Sequence, residues 1–231
     1  MRITRFAPAG VLLGLLSCGL IDPNITRFTF VLPPRTYMFD AASLNLPAGA
    51  TPMVPCGDGQ AVNDCCNPPA PLPKPTCDEM TSLACESGVC TAHITVSQSQ
   101  TMSLSQEVPG LANKPRFGTV SIAAITYEVP TNTLNVASTA MTFYLAPEGV
   151  TNWKDQMAEK FGTLPSIPAG STEPGNVMLE PGADATFARF AADLSRSFNF
   201  IAVSTIDVAS GSPVPTGRIE LKVTGMMSVS L

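Results

Sequence analysis

The chain has 231 residues, a formal net charge of −5 and 13% charged residues against 45% hydrophobic ones. Binding to nucleic acid rests on clustered cations that neutralise phosphates; 13 Lys and Arg against 18 Asp and Glu, with no basic run longer than a pair, exclude that class and also exclude attachment to anionic lipid by charge alone. The apolar content predicts a packed core, and a single histidine leaves little material for acid–base catalysis.

At the start, Arg2 and Arg5 precede an apolar run, Ala7 to Leu16, that closes on Leu15-Leu16-Ser17-Cys18. Pro8 and Gly10 interrupt the run, and a helix needs about 20 residues to span a bilayer, so residues 1–17 read as a processed targeting segment. Leucine three places before the cysteine and a small residue directly before it resemble the lipobox of bacterial lipoproteins. The resemblance implies cleavage before Cys18, diacylglycerol on its sulfur, and a further acyl chain such as palmitate on its new amino group. Two or more chains anchor stably where one does not. Gly19, where an aspartate would signal inner-membrane retention in that class, implies the outer membrane of a gram-negative envelope, on its periplasmic or its surface-exposed side. Residues 18–24 form a lipidated tether; the six after Cys18 reach at most about 20 Å. The folded domain, residues 25–231, is therefore expected to lie against the membrane.

Residues 25–48 read as a strand and its return: Phe28, Phe30 and Leu32 alternate with Arg27 and Thr29, Pro33-Pro34 breaks the run, and Tyr37-Met38-Phe39 resumes it. Residues 49–91 differ in texture, with five prolines between Pro68 and Pro75 and few large apolar side chains. Such a stretch cannot bury enough surface to offset its ordering entropy and reads as a surface insertion held by cross-links. Beyond Cys18 the cysteines are Cys56, Cys65, Cys66, Cys77, Cys85 and Cys90. An even number in an exported chain predicts three disulfides. Pairing is open among 15 arrangements; adjacent Cys65 and Cys66 are disfavoured, and Cys85–Cys90 is favoured as a local loop.

From Ala92 the chain reads as β. Ile94, Val96, Met102, Leu104 and Val108 share one parity opposite a polar face, with Gln98 and Gln100 interrupting the apolar side at a bend. Val120 and Ile122 give way in parity to Ile125, Tyr127 and Val129, and Leu134 and Val136 give way to Met141, Phe143 and Leu145. Such switches predict a bulge or a crossing between sheets; joined through Pro130 to Thr133, the two segments read as a bent hairpin. One short helix is expected over Asn152 to Phe161, with Trp153, Met157 and Phe161 on one face. A second, capped by Asp184, carries Phe187, Phe190, Ala191 and Leu194, with Arg189 and Asp193 paired on its outside. Residues 162–183 between them read as a loop. Ser197 to Val208 is apolar on both faces, as a central strand is. The last strand sets Ile219, Leu221, Val223, Met227, Val229 and Leu231 inward and leaves Met226 on the polar side. The whole predicts an all-β fold: an antiparallel β-sandwich, immunoglobulin-like, with two short helices and a disulfide-stapled Pro-rich insertion, a partly open barrel being the alternative.

Chemistry is sparse. His93 is expected as a polar residue where a strand begins, with no carboxylate or nucleophile near it in sequence to make a triad. The cysteines lack the paired spacing of zinc sites apart from Cys85 and Cys90, so disulfides are expected and no metal or cofactor is. Gly57-Asp58-Gly59 reads as a turn, since Val62 stands where a dinucleotide fingerprint needs glycine. Trp153 is expected to pack on Met157 and Phe161. The sequence thus points to a non-enzymatic outer-membrane lipoprotein, held to the membrane through Cys18, that meets another envelope or surface protein. The alternative is a binder of a small hydrophobic ligand or lipid.

Overall fold

The computed structural model describes residues 27–44, 55–57, 65, 81–108, 119–193 and 195–230. The expected targeting segment, Cys18, the expected tether, the proline run 68–75, Cys66, Cys77, Leu194 and Leu231 lie outside the described residues.

Among the described residues, eleven strands form two antiparallel sheets. Strands β1 (Arg27–Val31) and β2 (Arg35–Asp40) lie along one side of β11 (Arg218–Ser230). On the other side of β11 lie β5 (Thr119–Asn132) and then β8 (Gly175–Asn176). The second sheet runs in the order β3 (Thr81–Glu86), β4 (Val89–Met102), β10 (Phe198–Ala209), β6 (Met141–Pro147), β7 (Glu159–Leu164), β9 (Met178–Leu179). Helices α1 (Leu104–Glu107) and α2 (Ala183–Ala191) are short. The antiparallel all-β sandwich expected from the patterning is present; the strand order does not by itself establish its immunoglobulin-like variant.

The two sheets share one apolar core. Phe143, Phe161, Phe187, Phe198, Leu221, Met227 and Val229 are almost wholly buried, each side chain contributing about 1.5–3 kcal/mol by leaving water. Aromatic rings meet edge-on at its centre, Phe161 with Phe200 at 5.2 Å and Phe187 with Phe198 at 5.9 Å. Strand β10 is central, paired with β4 on one side and β6 on the other; Phe198, Phe200 and Ala202 face the core between the sheets while Ile201 and Val203 lie under Val150, Trp153 and Ala158, which is why both its faces are apolar. In β11 Ile219, Leu221, Val223, Met227 and Val229 are buried as expected while Met226 is 42% exposed.

Several expectations change. Strand β2 is no return of β1: both run antiparallel to β11, Arg27 opposite Ser230 and Arg35 opposite Val223. They form one broken edge strand, because Pro33 and Pro34 have no N–H for the ladder while Leu32 N still donates to Gly225 O at 2.8 Å. Residues 81–91 are not part of a surface insertion; they make β3 and the start of β4. Their hairpin closes on Ser87 and Gly88, both at positive φ (54° and 78°), the two-residue turn that matches strand twist and that glycine adopts without strain. Leu104 lies in α1, not in a strand. The parity switch in β5 is a bulge, Ala123 being the extra residue where Met226 and Met227 oppose Ala124 and Ile122. Strands β5 and β6 are not a hairpin; they lie in opposite sheets, and the chain between them crosses over.

Residues 152–158 form turns rather than a helix. Asn152 Oδ1 accepts from Lys154 N at 2.9 Å and Asp155 Oδ1 from Met157 N at 2.8 Å, local bonds that compete with a helical ladder; Phe161 then lies within β7. Helix α2 forms, but Gly182 (φ 88°) occupies its cap position. The Asp184 carboxylate instead accepts from Ile122 N, beside the bulge, at 2.8 Å. Arg189 pairs with Glu159, and Asp193 with Arg196 at 3.1 Å, so those two do not pair with each other.

Both lateral margins of the sandwich are bridged. On one, residues 175–179 leave β5 as β8 and join β7 as β9, with Val177 buried between. On the other, Gln98 and Gln100 of β4 reach the outer backbone of β2. The Gln98 amide accepts from Met38 N at 3.0 Å and donates to Met38 O, and Gln100 donates to Thr36 O. The two glutamines that break the apolar face of β4 thus take the place of a neighbouring strand.

Candidate functional site

The end of the sandwich at the β3–β4 turn gathers the chemistry-bearing side chains. Cys85 and Cys90 oppose each other in the hairpin, yet they do not bond to each other as expected. Cys56 bonds Cys85, and Cys65 bonds Cys90. The cause is the docking of residues 55–57 on the hairpin: Pro55 bridges Val89, and Cys56 N donates to Gly88 O at 3.1 Å, which sets Cys56 beside Cys85. Closing loops with sequence separations of 29 and 25 contributes about 3–4 kcal/mol each by restricting the unfolded chain.

Next to the staple lies an open groove of about 350 Å³ lined by Glu86, Thr91, Asn135, Val136, Asp207 and Pro213, among others. Its rims are held by loop-to-loop bonds: Thr216 N to Asn135 Oδ1 at 2.7 Å, Asn135 Nδ2 to Val214 O at 3.1 Å, and Ser210 N to Cys90 O at 2.8 Å. Two of its carboxylates also hold His93, the side chain for which no partner was visible in sequence. Asp207 Oδ1 meets Nδ1 at 2.7 Å, and Glu86 Oε1 lies 3.5 Å from Nε2. His93 sits inside β4, not at its start. The signal that could have located these partners is cross-strand register, His93 opposite Asp207, which no local pattern discloses across 114 residues.

The arrangement does not make a nucleophile relay. Ser82 opposes His93 in register, but Nε2 faces Glu86. The carboxylates approach the ring at its two different nitrogens, so the three groups do not converge on one ion either.

Trp153 is half-buried, but not against Met157 and Phe161. It packs on the outer face of the second sheet over Ala146, Ile201 and Val203, with Tyr144 at 5.9 Å between ring centroids and the Lys154 ammonium 5.5 Å from its own ring. Asn199, 2% exposed, ties this cover down by donating to Val150 O at 2.9 Å. Met157 is left 48% exposed. Between the sheets, two cavities beside Tyr37 measure about 40 and 20 Å³, far below the ~300–1,000 Å³ of ligand pockets.

No protein-family model matches the chain, and no curated protein matches it. Among solved structures, a chain of turnip yellow mosaic virus is similar at 9% identity, covering 99% of this chain and 88% of that one, with a TM-score of 0.30. A chain of Desmodium yellow mottle tymovirus is similar at 11% identity, covering 71% and 95%, with a TM-score of 0.27. Likenesses at these scores carry no argument about fold or role.

Proposed function

We propose that this chain is a non-enzymatic lipoprotein of the outer membrane, anchored through Cys18, whose stapled end engages another envelope or surface protein. The observation that carries the reading is Leu15-Leu16-Ser17-Cys18 behind Arg2, Arg5 and a short apolar run. Support comes from the far end of the chain's chemistry: the one imidazole is engaged by two carboxylates and not by a nucleophile, and the 350 Å³ groove is open, polar-rimmed and held by hydrogen-bonded loops. A rigid concave surface of that kind suits recognition without conformational cost. The hydrophobic-ligand alternative gains no support from the two cavities between the sheets, which are too small for an acyl chain.

The test is intact-mass measurement and labelled-palmitate incorporation on full chain produced in a gram-negative host. The expected result is a mature chain starting at Cys18 and carrying acyl groups, with Cys18→Ser unlabelled and released from membranes. A leader still attached, or an unmodified thiol at position 18, would overturn the reading. Cross-linking from the groove rim, for example at Asn135, is then expected to capture a stoichiometric protein partner.

A further inference from the structure

We propose that Cys56, Cys65, Cys85 and Cys90 form a redox-gated metal site: two disulfides under oxidising conditions, and a four-thiolate zinc centre once reduced. The inference does not rest on the anchor or on the partner-binding role.

Convergence is the first argument. The sulfurs of Cys56, Cys65 and Cys90 all lie within 4.8 Å of one another, and Cys85 is bonded to Cys56. Tetrahedral zinc with Zn–S of about 2.3 Å sets sulfurs roughly 3.8 Å apart. The two sulfurs of each broken disulfide must move apart, which side-chain torsions provide. The Cys56–Cys65 and Cys56–Cys90 separations need to change by only about 1 Å to meet that spacing, and the Cys85 sulfur, which lies outside that 4.8 Å group, must turn inward about its own side-chain torsion to complete the set.

The scaffold is the second. Cys85 and Cys90 sit one pair beyond a two-residue turn whose flanking residues, Glu86 and Val89, exchange the backbone bonds. The cysteines therefore form the closer, non-hydrogen-bonded pair and project to the same face of a fixed hairpin. Cys56 is held by backbone as well as by sulfur, through the Pro55–Val89 bridge and the bond to Gly88 O, so its position does not depend on the disulfide alone. Cys65 and Cys90 are 2% and 7% exposed, packed with Leu83, and a shielded site of this kind slows exchange of a bound ion. His93, Glu86 and Asp207 meet on the other face of the hairpin and do not compete.

The chemistry balances with a dithiol as reductant. Each disulfide accepts two electrons and two protons while the dithiol closes to its own disulfide. Binding of Zn²⁺ then releases the four thiol protons. Of the three spacings between these cysteines only Cys85 to Cys90 follows the paired motif of familiar zinc sites, which is why the sequence alone argues for disulfides.

The experiment titrates full chain with Co²⁺, then Zn²⁺, after anaerobic reduction, alongside oxidised chain. The expected result is one Co²⁺ per reduced chain with the visible and near-ultraviolet bands of tetrahedral cobalt thiolate, displaced by one Zn²⁺, and no such bands in oxidised chain. Cys66→Ser with Cys77→Ser should keep the bands; Cys56→Ser and Cys90→Ser should each weaken binding at least tenfold. Circular dichroism follows the β-sheet throughout. Absence of the bands from reduced chain, whether or not the sheet signal survives, overturns the proposal, as does binding that depends on Cys66 and Cys77 instead.

Discussion

Tyr37 places a hydroxyl in the core with no hydrogen-bond partner among the described residues. Burial pushes its pKa above the ordinary tyrosine value, only partly offset by the Arg35 guanidinium. The unfolded chain gives up this proton near pH 10 while the folded chain keeps it, so stability is full below that pH and falls above it. Tyr37→Phe should raise unfolding free energy by about 1 kcal/mol and flatten the alkaline limb of stability against pH, both read from urea melts between pH 8 and 11; an unchanged limb would exclude Tyr37 as its source. The cysteines give a second expectation. Disulfide mapping of oxidised chain should return Cys56–Cys85 and Cys65–Cys90, and with Cys18 acylated a third bond, expected from the even count of the other six, would join Cys66 to Cys77. The inventory of sulfurs was legible in the sequence. Their partners were not, because Cys56 meets Cys85 only after a distant stretch docks on the hairpin, and the same holds for His93 and Asp207 on adjacent strands.

Among the elements, period-2 patterning located most strands and even one irregularity, since the side-chain parity of β5 reverses where Ala123 bulges. Patterning failed where spacing mimicked the wrong period. Trp153, Met157 and Phe161 recur as on a helix face, but asparagine and aspartate bond their own backbone there and Phe161 belongs to a strand. It failed again at β1 and β2, where two prolines signal a break but not whether the chain reverses. Gln98 and Gln100 looked like flaws in an apolar face, and they prove to cover the outer backbone of β2. An uncovered edge offers unpaired N–H and C=O groups to other chains. Gln98→Ala with Gln100→Ala should therefore cost about 1.5–2 kcal/mol, the three exposed bonds each contributing near the low end of roughly 0.5–1.5 kcal/mol. It should also raise concentration-dependent self-association in sedimentation velocity. Unaltered melting and sedimentation would mean the clamp contributes nothing.

For the whole molecule, the segment 175–179 belongs to both sheets, standing opposite Tyr127 and Thr126 through one half and opposite Gly162 and Thr163 through the other. It acts as a rivet at that margin. The two sheets cannot fray there independently: peeling β9 from β7 drags at β8 on β5, and Val177 must leave the core for either to open. Amide exchange at Thr163 and at Tyr127 should consequently occur in one shared opening event, with equal free energies and equal denaturant dependence, although the two residues lie in different layers. A force applied across the layers meets covalent backbone at this seam before it meets any non-covalent contact, so a body tethered by one face and gripped by the other would resist delamination on the rivet side and yield first along the glutamine side.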